Sequence, residues 1–87
     1  MLDDKKKAEI LEMYPDEPIL LADGFEGAFI GIAQVFHTNI AIYDRDKCLW
    51  ILVDRDGMKF NEAEEFFDFN VVGSYMGENT PGFITLI

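Results

Sequence analysis

The sequence predicts an α+β fold, in which a small antiparallel sheet packs against two consecutive helices. Three observations support this fold class. A chain of 87 residues encloses one hydrophobic core. Short apolar runs rich in β-branched and aromatic residues occupy residues 19–43 and predict strands. Two later segments, within residues 44–77, carry helix-capping residues at their ends and predict helices.

The first 18 residues predict a helical arm followed by a hinge. Asp3 or Asp4 is a suitable N-cap for a short helix. Pro15 and Pro18 each disfavour helix in the residue before them, so the helix should end there. We therefore expect an arm over residues 1–18 and a single α+β domain over residues 19–87. One face of the arm would carry Leu2, Lys6, Ile10 and Met13.

Three apolar runs, at residues 19–22, 28–36 and 40–43, predict a meander of strands. Residues 37–39 would form a tight hairpin loop between the second and third runs. The second run is apolar on both alternating faces, which predicts a strand covered on both sides or paired at an interface. The tail, residues 83–87, predicts a last strand that pairs with the hairpin.

The apolar run at residues 48–53 fits either a buried strand or a helix. Its flanks favour a helix, because Asp44 is a good N-cap and Gly57 suits a left-handed residue after a helix end. We predict a helix over Arg45–Asp56. Such a helix would present either Trp50 or Val53 away from its main face.

Asn61 predicts the start of a second helix, since three acidic residues follow it in the first turn. Gly77 would terminate this helix after Met76. A first face of the helix would carry Ala63, Phe66, Phe67, Asn70, Val71 and Ser74, and a second apolar stripe would carry Phe69, Val72 and Met76. We therefore expect this helix to contact two surfaces.

The charge balance constrains the partners. Seventeen acidic residues against seven basic ones give a net charge of −10, which argues against direct binding of nucleic acid or of anionic membranes.

The single cysteine suits a reducing interior, and no signal peptide or membrane-spanning stretch is expected, so we predict a cytoplasmic protein. An apolar content of 49% implies either scattered surface apolar residues or an association surface, and we expect a homo-oligomer, most simply a dimer.

No segment of the sequence fits a catalytic or metal-binding motif, so we expect neither an enzyme nor a cofactor. If Gly57 were the sixth residue of a calcium loop, Leu52 and Ala63 would occupy ligand positions that need carboxylates. His37 is the only histidine and Ser74 the only serine, in segments predicted to lie apart. Cys48 lies in an apolar run, where a thiol behaves as a core residue.

Asn70 is a polar residue on an apolar helical face, with a glycine three positions later. A buried amide must be satisfied by hydrogen bonds, so we favour close packing with a backbone hydrogen bond. The alternative is a small-ligand pocket in which Asn70 is joined by basic side chains such as Arg45 and Arg55.

Several segments resemble a family of small uncharacterised acidic proteins that are common in tailed-phage genomes. The resemblance covers roughly residues 20–83 and rests on residues 20–32, 40–44, 47–48, 55–58, 62–63, 69–71 and 77–81. The family has no assigned activity, so no site residues are implied. Its helix around the cysteine is usually amphipathic, and Trp50 and Val53 depart from that pattern.

These observations favour a non-catalytic, phage-type binding module that acts on a host protein in the host cytoplasm, as an antagonist of a defence or regulatory component. Its partner-binding surface would combine exposed apolar groups with acidic ones, and its predicted residues are Trp50, Val53, Phe69, Val72 and Met76. The alternative is an oligomeric protein that binds or sequesters a small molecule or nucleotide, through Asn70, Arg55 and Arg45.

Overall fold

The computed structural model describes the whole chain, Met1–Ile87. It contains three α-helices and a three-stranded mixed sheet, which confirms the α+β class and the short N-terminal helix. None of the helices has the length and apolar character needed to cross a lipid bilayer. In chain order the elements are α1 (Asp4–Met13), β1 (Phe29–Val35), β2 (Thr38–Asp44), α2 (Arg45–Asp56), α3 (Phe60–Phe67) and β3 (Gly82–Ile84).

Helix α1 lies at the periphery and is attached to the body at both ends. Asp3 caps it, as predicted, and the helix has no buried residue. Before it, Leu2 is buried, and its N–H donates to the Glu26 carbonyl at 2.8 Å. After it, the Glu17 carboxylate accepts from the Asn39 backbone N–H at 2.8 Å and from the Asn39 side chain at 3.0 Å. The segment predicted to be a hinge is therefore hydrogen-bonded to β2.

Strands β1 and β2 form the predicted hairpin, but the turn lies one residue earlier than predicted. The turn residues are Phe36 and His37, and Thr38 already pairs with Val35. A bulge between Phe29 and Gly31 shifts the register at the start of β1. The prediction that residues 37–39 form the loop was wrong, because Phe36 adopts a left-handed backbone with φ of 55° and closes a shorter turn.

Residues 19–22 do not form the predicted strand. The Ala22 N–H donates to the Tyr43 hydroxyl at 2.8 Å instead of to another strand. A side chain therefore satisfies a backbone group that a sheet would otherwise have paired.

Strand β3 pairs with β2, as predicted, but it runs parallel to β2, so the sheet is mixed and not antiparallel. The connection from β2 to β3 contains both α2 and α3. Parallel neighbours require a long crossover of this kind, whereas a tight turn produces antiparallel ones.

Helix α2 matches its prediction at both ends. Asp44 accepts from the Lys47 N–H at 3.2 Å, and Gly57 adopts φ of 71°. Helix α3 begins one residue before Asn61, and its start is stabilised by the Glu62 carboxylate, which accepts from the Lys59 N–H at 3.3 Å. Asn61 is therefore not the N-cap.

Helix α3 also ends earlier than predicted, because a π-helical turn at Asp68–Val72 replaces its second half. The Gly73 N–H donates to the Asp68 carbonyl at 3.2 Å, and the Asn70 side chain donates to the Phe66 carbonyl at 3.2 Å. Gly77, with φ of 106°, lies in a later turn and does not terminate the helix. The side-chain spacing of an α-helix is lost after Phe67.

The core lies between the sheet and the two helices α2 and α3. Its centre is a chain of five aromatic rings with centroids 4.9 to 5.9 Å apart. Cys48 and Leu49 of α2 are fully buried beside them, which confirms Cys48 as a core residue. The rings belong to Phe25, Phe67, Phe83, Tyr43 and Phe29.

Candidate functional site

Trp50 is the predicted site residue that the structure exposes on a helix anchored in the core. The main face of α2 packs into the core through Cys48, Leu49 and Leu52. Trp50 lies on the opposite side of the helix and is 52% exposed. Its ring centroid lies 5.2 Å from that of Phe60, at the start of α3. The neighbouring candidate, Val53, is partly buried and packs against the core. The outward residue of α2 is therefore Trp50.

Carboxylates border this aromatic pair. Asp46 and Asp54 are both exposed, and they lie four residues before and four residues after Trp50. Residues at that spacing project from the same side of a helix, and eight residues span about 12 Å. On α3, Glu64 lies four residues after Phe60 and projects from the same side of that helix. We call the surface formed by these five residues the α2–α3 face: Asp46, Trp50, Asp54, Phe60 and Glu64.

Phe69, Val72 and Met76 do not form a helical stripe with one another. Phe69 and Val72 belong to the π-helical turn, where Phe69 is 84% exposed and Val72 about half exposed. Met76 lies beyond the turn, and its N–H donates to the Thr80 hydroxyl at 2.8 Å. The five residues predicted to bind a partner are therefore distributed over different parts of the surface.

The alternative ligand-binding residues are separated from one another. Asn70 lines a groove, whereas Arg45 forms an ion pair with Asp68 at 3.0 Å and lies over the Phe67 ring. Arg55 is committed elsewhere: it donates to the Gly24 carbonyl at 2.6 Å, pairs with Asp56 and lies over the Phe25 ring. Both guanidinium groups pack on rings at the outside of the aromatic core, and neither lines the groove.

The groove beside Asn70 has a volume of about 350 Å³. It runs between residues 20–25 on one side and residues 70–83 on the other, and most of its lining is apolar. Asn70 and Ser74 contribute polar groups to its wall. The Asn70 amide also donates to the backbone, as predicted, but Asn70 is exposed and therefore is not the closely packed amide that the sequence favoured.

The nucleophile candidates are in unreactive or separate places. Burial raises the pKa of the Cys48 thiol to about 12, which keeps it protonated at neutral pH. His37 lies in the hairpin turn, whereas Ser74 lines the groove. No group of three or more His, Cys, Asp and Glu side chains is arranged to hold a metal ion.

Phe60 is the site residue that the sequence did not single out. It directly precedes the predicted helix start at Asn61. One signal could have identified it: Phe60 stands three residues before Ala63 and seven before Phe67, both of which are buried, so it extends the helical period backwards.

Comparisons of the chain with models of known protein families, with curated proteins and with solved structures gave no match in any of the three. The resemblance to tailed-phage proteins therefore stays a prediction.

Proposed function

We propose that this protein is a non-catalytic binding module that docks onto another protein through the α2–α3 face, with Trp50 as the central residue. One observation carries the proposal: the only tryptophan of the chain stands half exposed on a helix whose opposite side is anchored in the core. Tryptophan is enriched among residues that dominate binding energy, because its large ring buries much apolar surface and keeps little conformational freedom.

The charges around Trp50 define the chemistry of the partner. Asp46 and Asp54 flank the ring along the helix, with the exposed Lys47 beside Asp46, and the whole chain carries a net charge of −10. A complementary surface has an apolar cleft with Lys or Arg side chains at both ends, about 12 Å apart. The acidic field steers such a basic surface toward the module. In keeping with the resemblance to phage proteins, the partner is a host cytoplasmic protein whose defence or regulatory role the module antagonises.

Affinity capture with matched variants tests this proposal. Wild-type protein, Trp50→Ala and Leu11→Ala are immobilised and exposed to host lysate, and circular dichroism verifies that each variant is folded. Leu11 is the control, because it is an exposed apolar residue on the peripheral helix α1. We expect a protein that wild type and Leu11→Ala retain, and that Trp50→Ala loses by about tenfold or more. Equal retention by all three would contradict the proposal.

The groove supports a second candidate, a small-molecule binder. Its volume of about 350 Å³ lies in the range of ligand pockets, and Asn70 and Ser74 supply polar groups. Native mass spectrometry after exposure to lysate separates the candidates. A bound small molecule that Ser74→Phe expels and Trp50→Ala leaves in place would favour the groove. A retained protein that only Trp50→Ala releases would favour the α2–α3 face.

A further inference from the structure

The longest stretch of the chain without a charged side chain forms the hairpin. Residues 27–43 contain no Asp, Glu, Lys or Arg, although 28% of the chain is charged. This segment includes the whole of β1, the turn and all of β2 up to Tyr43. Two copies of a chain with a net charge of −10 repel each other wherever charged surfaces approach. The hairpin is therefore a surface on which two copies meet with little repulsion.

Strand β1 forms one edge of the sheet, since the strand order is β1-β2-β3. The backbone of Asn39 shows which groups of β1 remain free. Its N–H donates to Glu17 and its carbonyl accepts from Asn79, so the pair of Gln34 with Asn39 is not hydrogen-bonded across the hairpin. In an antiparallel pair the bonded and non-bonded residues alternate. The N–H and C=O groups of Gln34 and Ile32 therefore point away from β2, along the free edge.

This edge has only one of the features that keep natural edges from pairing, a bulge at its start. Edge strands are commonly protected by proline, by charged side chains or by being short. Strand β1 has seven residues, none of them proline or charged. Its only irregularity is the bulge at its start, so residues 31–35 remain regular. Ile30 and Val35 are about half exposed beside this edge.

We propose that β1 pairs antiparallel with β1 of a second copy, around a two-fold axis, so that two sheets join into one of six strands. A two-fold axis brings the same edge of both copies together, and an unpaired strand is self-complementary in that arrangement. Ile32 of one copy exchanges N–H···O=C bonds with Gln34 of the other, and the reverse pair repeats them. Ala33 then faces its own counterpart at the axis, and Gly31 leaves room for Val35 of the second copy.

This interface goes beyond the proposed function and does not depend on it. It uses backbone groups of β1 and no residue of the α2–α3 face. A dimer formed in this way would carry two copies of that face, and two linked sites bind a multivalent partner with higher avidity than one.

Molar mass and cross-linking together test the inference. Light scattering and sedimentation of the wild type at high micromolar concentration should give twice the chain mass of 10.0 kDa. Gln34→Pro removes an outward N–H from an exposed position, and Gln34→Lys places two positive charges beside the axis. Both variants should be folded monomers, whereas Gln34→Thr should remain dimeric.

An engineered disulfide tests the register. Ala33→Cys should form a disulfide-linked dimer under mild oxidation, because non-bonded partners have Cα atoms about 4.5 Å apart, within reach of a disulfide. Ala8→Cys, on the exposed surface of α1, measures random collisions, and the buried Cys48 of the wild type gives the background. A monomeric wild type would overturn the inference. A dimer that persists in both Gln34→Lys and Gln34→Pro would also overturn it. Cross-linking of Ala33→Cys that is no faster than that of Ala8→Cys would overturn it as well.

Discussion

Phe36 occupies a backbone conformation that phenylalanine rarely adopts. Its φ is 55° in the hairpin turn, and its side chain is 91% exposed. A left-handed backbone costs a residue with a Cβ about 1 kcal/mol or more, and a ring in solvent recovers none of it through packing. The position of this turn was not predictable from the sequence. The pairing of Val35 with Thr38 requires positive φ at Phe36, and phenylalanine has a low preference for positive φ.

Phe36→Asn should stabilise the protein by about 1 kcal/mol, because asparagine tolerates left-handed backbone and little packing is lost. The melting temperature should rise by about 4 to 8 °C for a domain of this size. Thermal denaturation at low protein concentration measures the monomer. Phe36→Ala is the control, since it removes the ring and keeps the strain; a gain equal to that of Phe36→Asn would refute the explanation.

Cys48 and Tyr43 make the stability sensitive to alkaline pH. Burial raises the pKa of the Cys48 thiol from its ordinary 9.0 to about 12, and burial also raises the pKa of the Tyr43 hydroxyl. The folded protein keeps protons that the unfolded chain releases, so the free energy of unfolding should fall as pH rises above the ordinary thiol value. Urea denaturation across this range should show the fall, and Cys48→Ala should delay its onset. A constant free energy of unfolding up to the pKa of the buried thiol would contradict this assignment.

At the scale of the elements, local chemistry was predictable and long-range geometry was not. The limits of α2 followed from Asp44 and Gly57, whose capping roles depend only on neighbouring residues. The direction of β3 depends on how two helices return the chain to the sheet, and no local pattern encodes it. The choice between Trp50 and Val53 as the outward residue likewise depends on where α3 packs. The π-helical turn interrupted a residue pattern that resembled one continuous helix.

The link between α1 and the body depends on the ionised form of Glu17. The Asn39 backbone N–H is the main reason that the pKa of Glu17 lies below its ordinary 4.5. This stabilisation is present above the ordinary value and is lost as pH falls through the lowered one. Acidification, or Glu17→Ala, should therefore lower the protection factor of the Asn39 amide against hydrogen exchange, as measured by NMR relative to the intrinsic exchange rate at each pH. Asp16→Ala, next to it and exposed, should leave the exchange rate unchanged; equal effects of the two substitutions would argue against the link.

At the scale of the whole molecule, charged helices and an uncharged hairpin divide the surface into two regions of different character. The helical region offers Trp50 between carboxylates, which suits a basic partner. The hairpin offers free backbone groups without charge, which suits a second copy. The sequence alone indicates the acidic charge and the apolar content, but apolar spacing does not reveal which strand lies at a sheet edge.

Salt should act oppositely on the two interfaces. Added sodium chloride screens repulsion between the acidic chains, so the β1-mediated dimer should tighten. Binding of a basic partner at the α2–α3 face should weaken under the same conditions, because screening removes the attraction to Asp46 and Asp54. Sedimentation measures the first effect and titration calorimetry the second. A dimer that dissociates in salt would show that ion pairs hold it together.

Acrylamide quenching of Trp50, the only tryptophan, tests whether a partner covers the α2–α3 face, since its fluorescence reports on one position of that face. In the free protein, quenching should be substantial, in keeping with a side chain that is half exposed. Saturation with the purified partner should strongly reduce quenching and shift the emission to shorter wavelength, because the ring becomes buried. A complex that forms fully while the quenching and emission of Trp50 stay those of the free protein would contradict the claim.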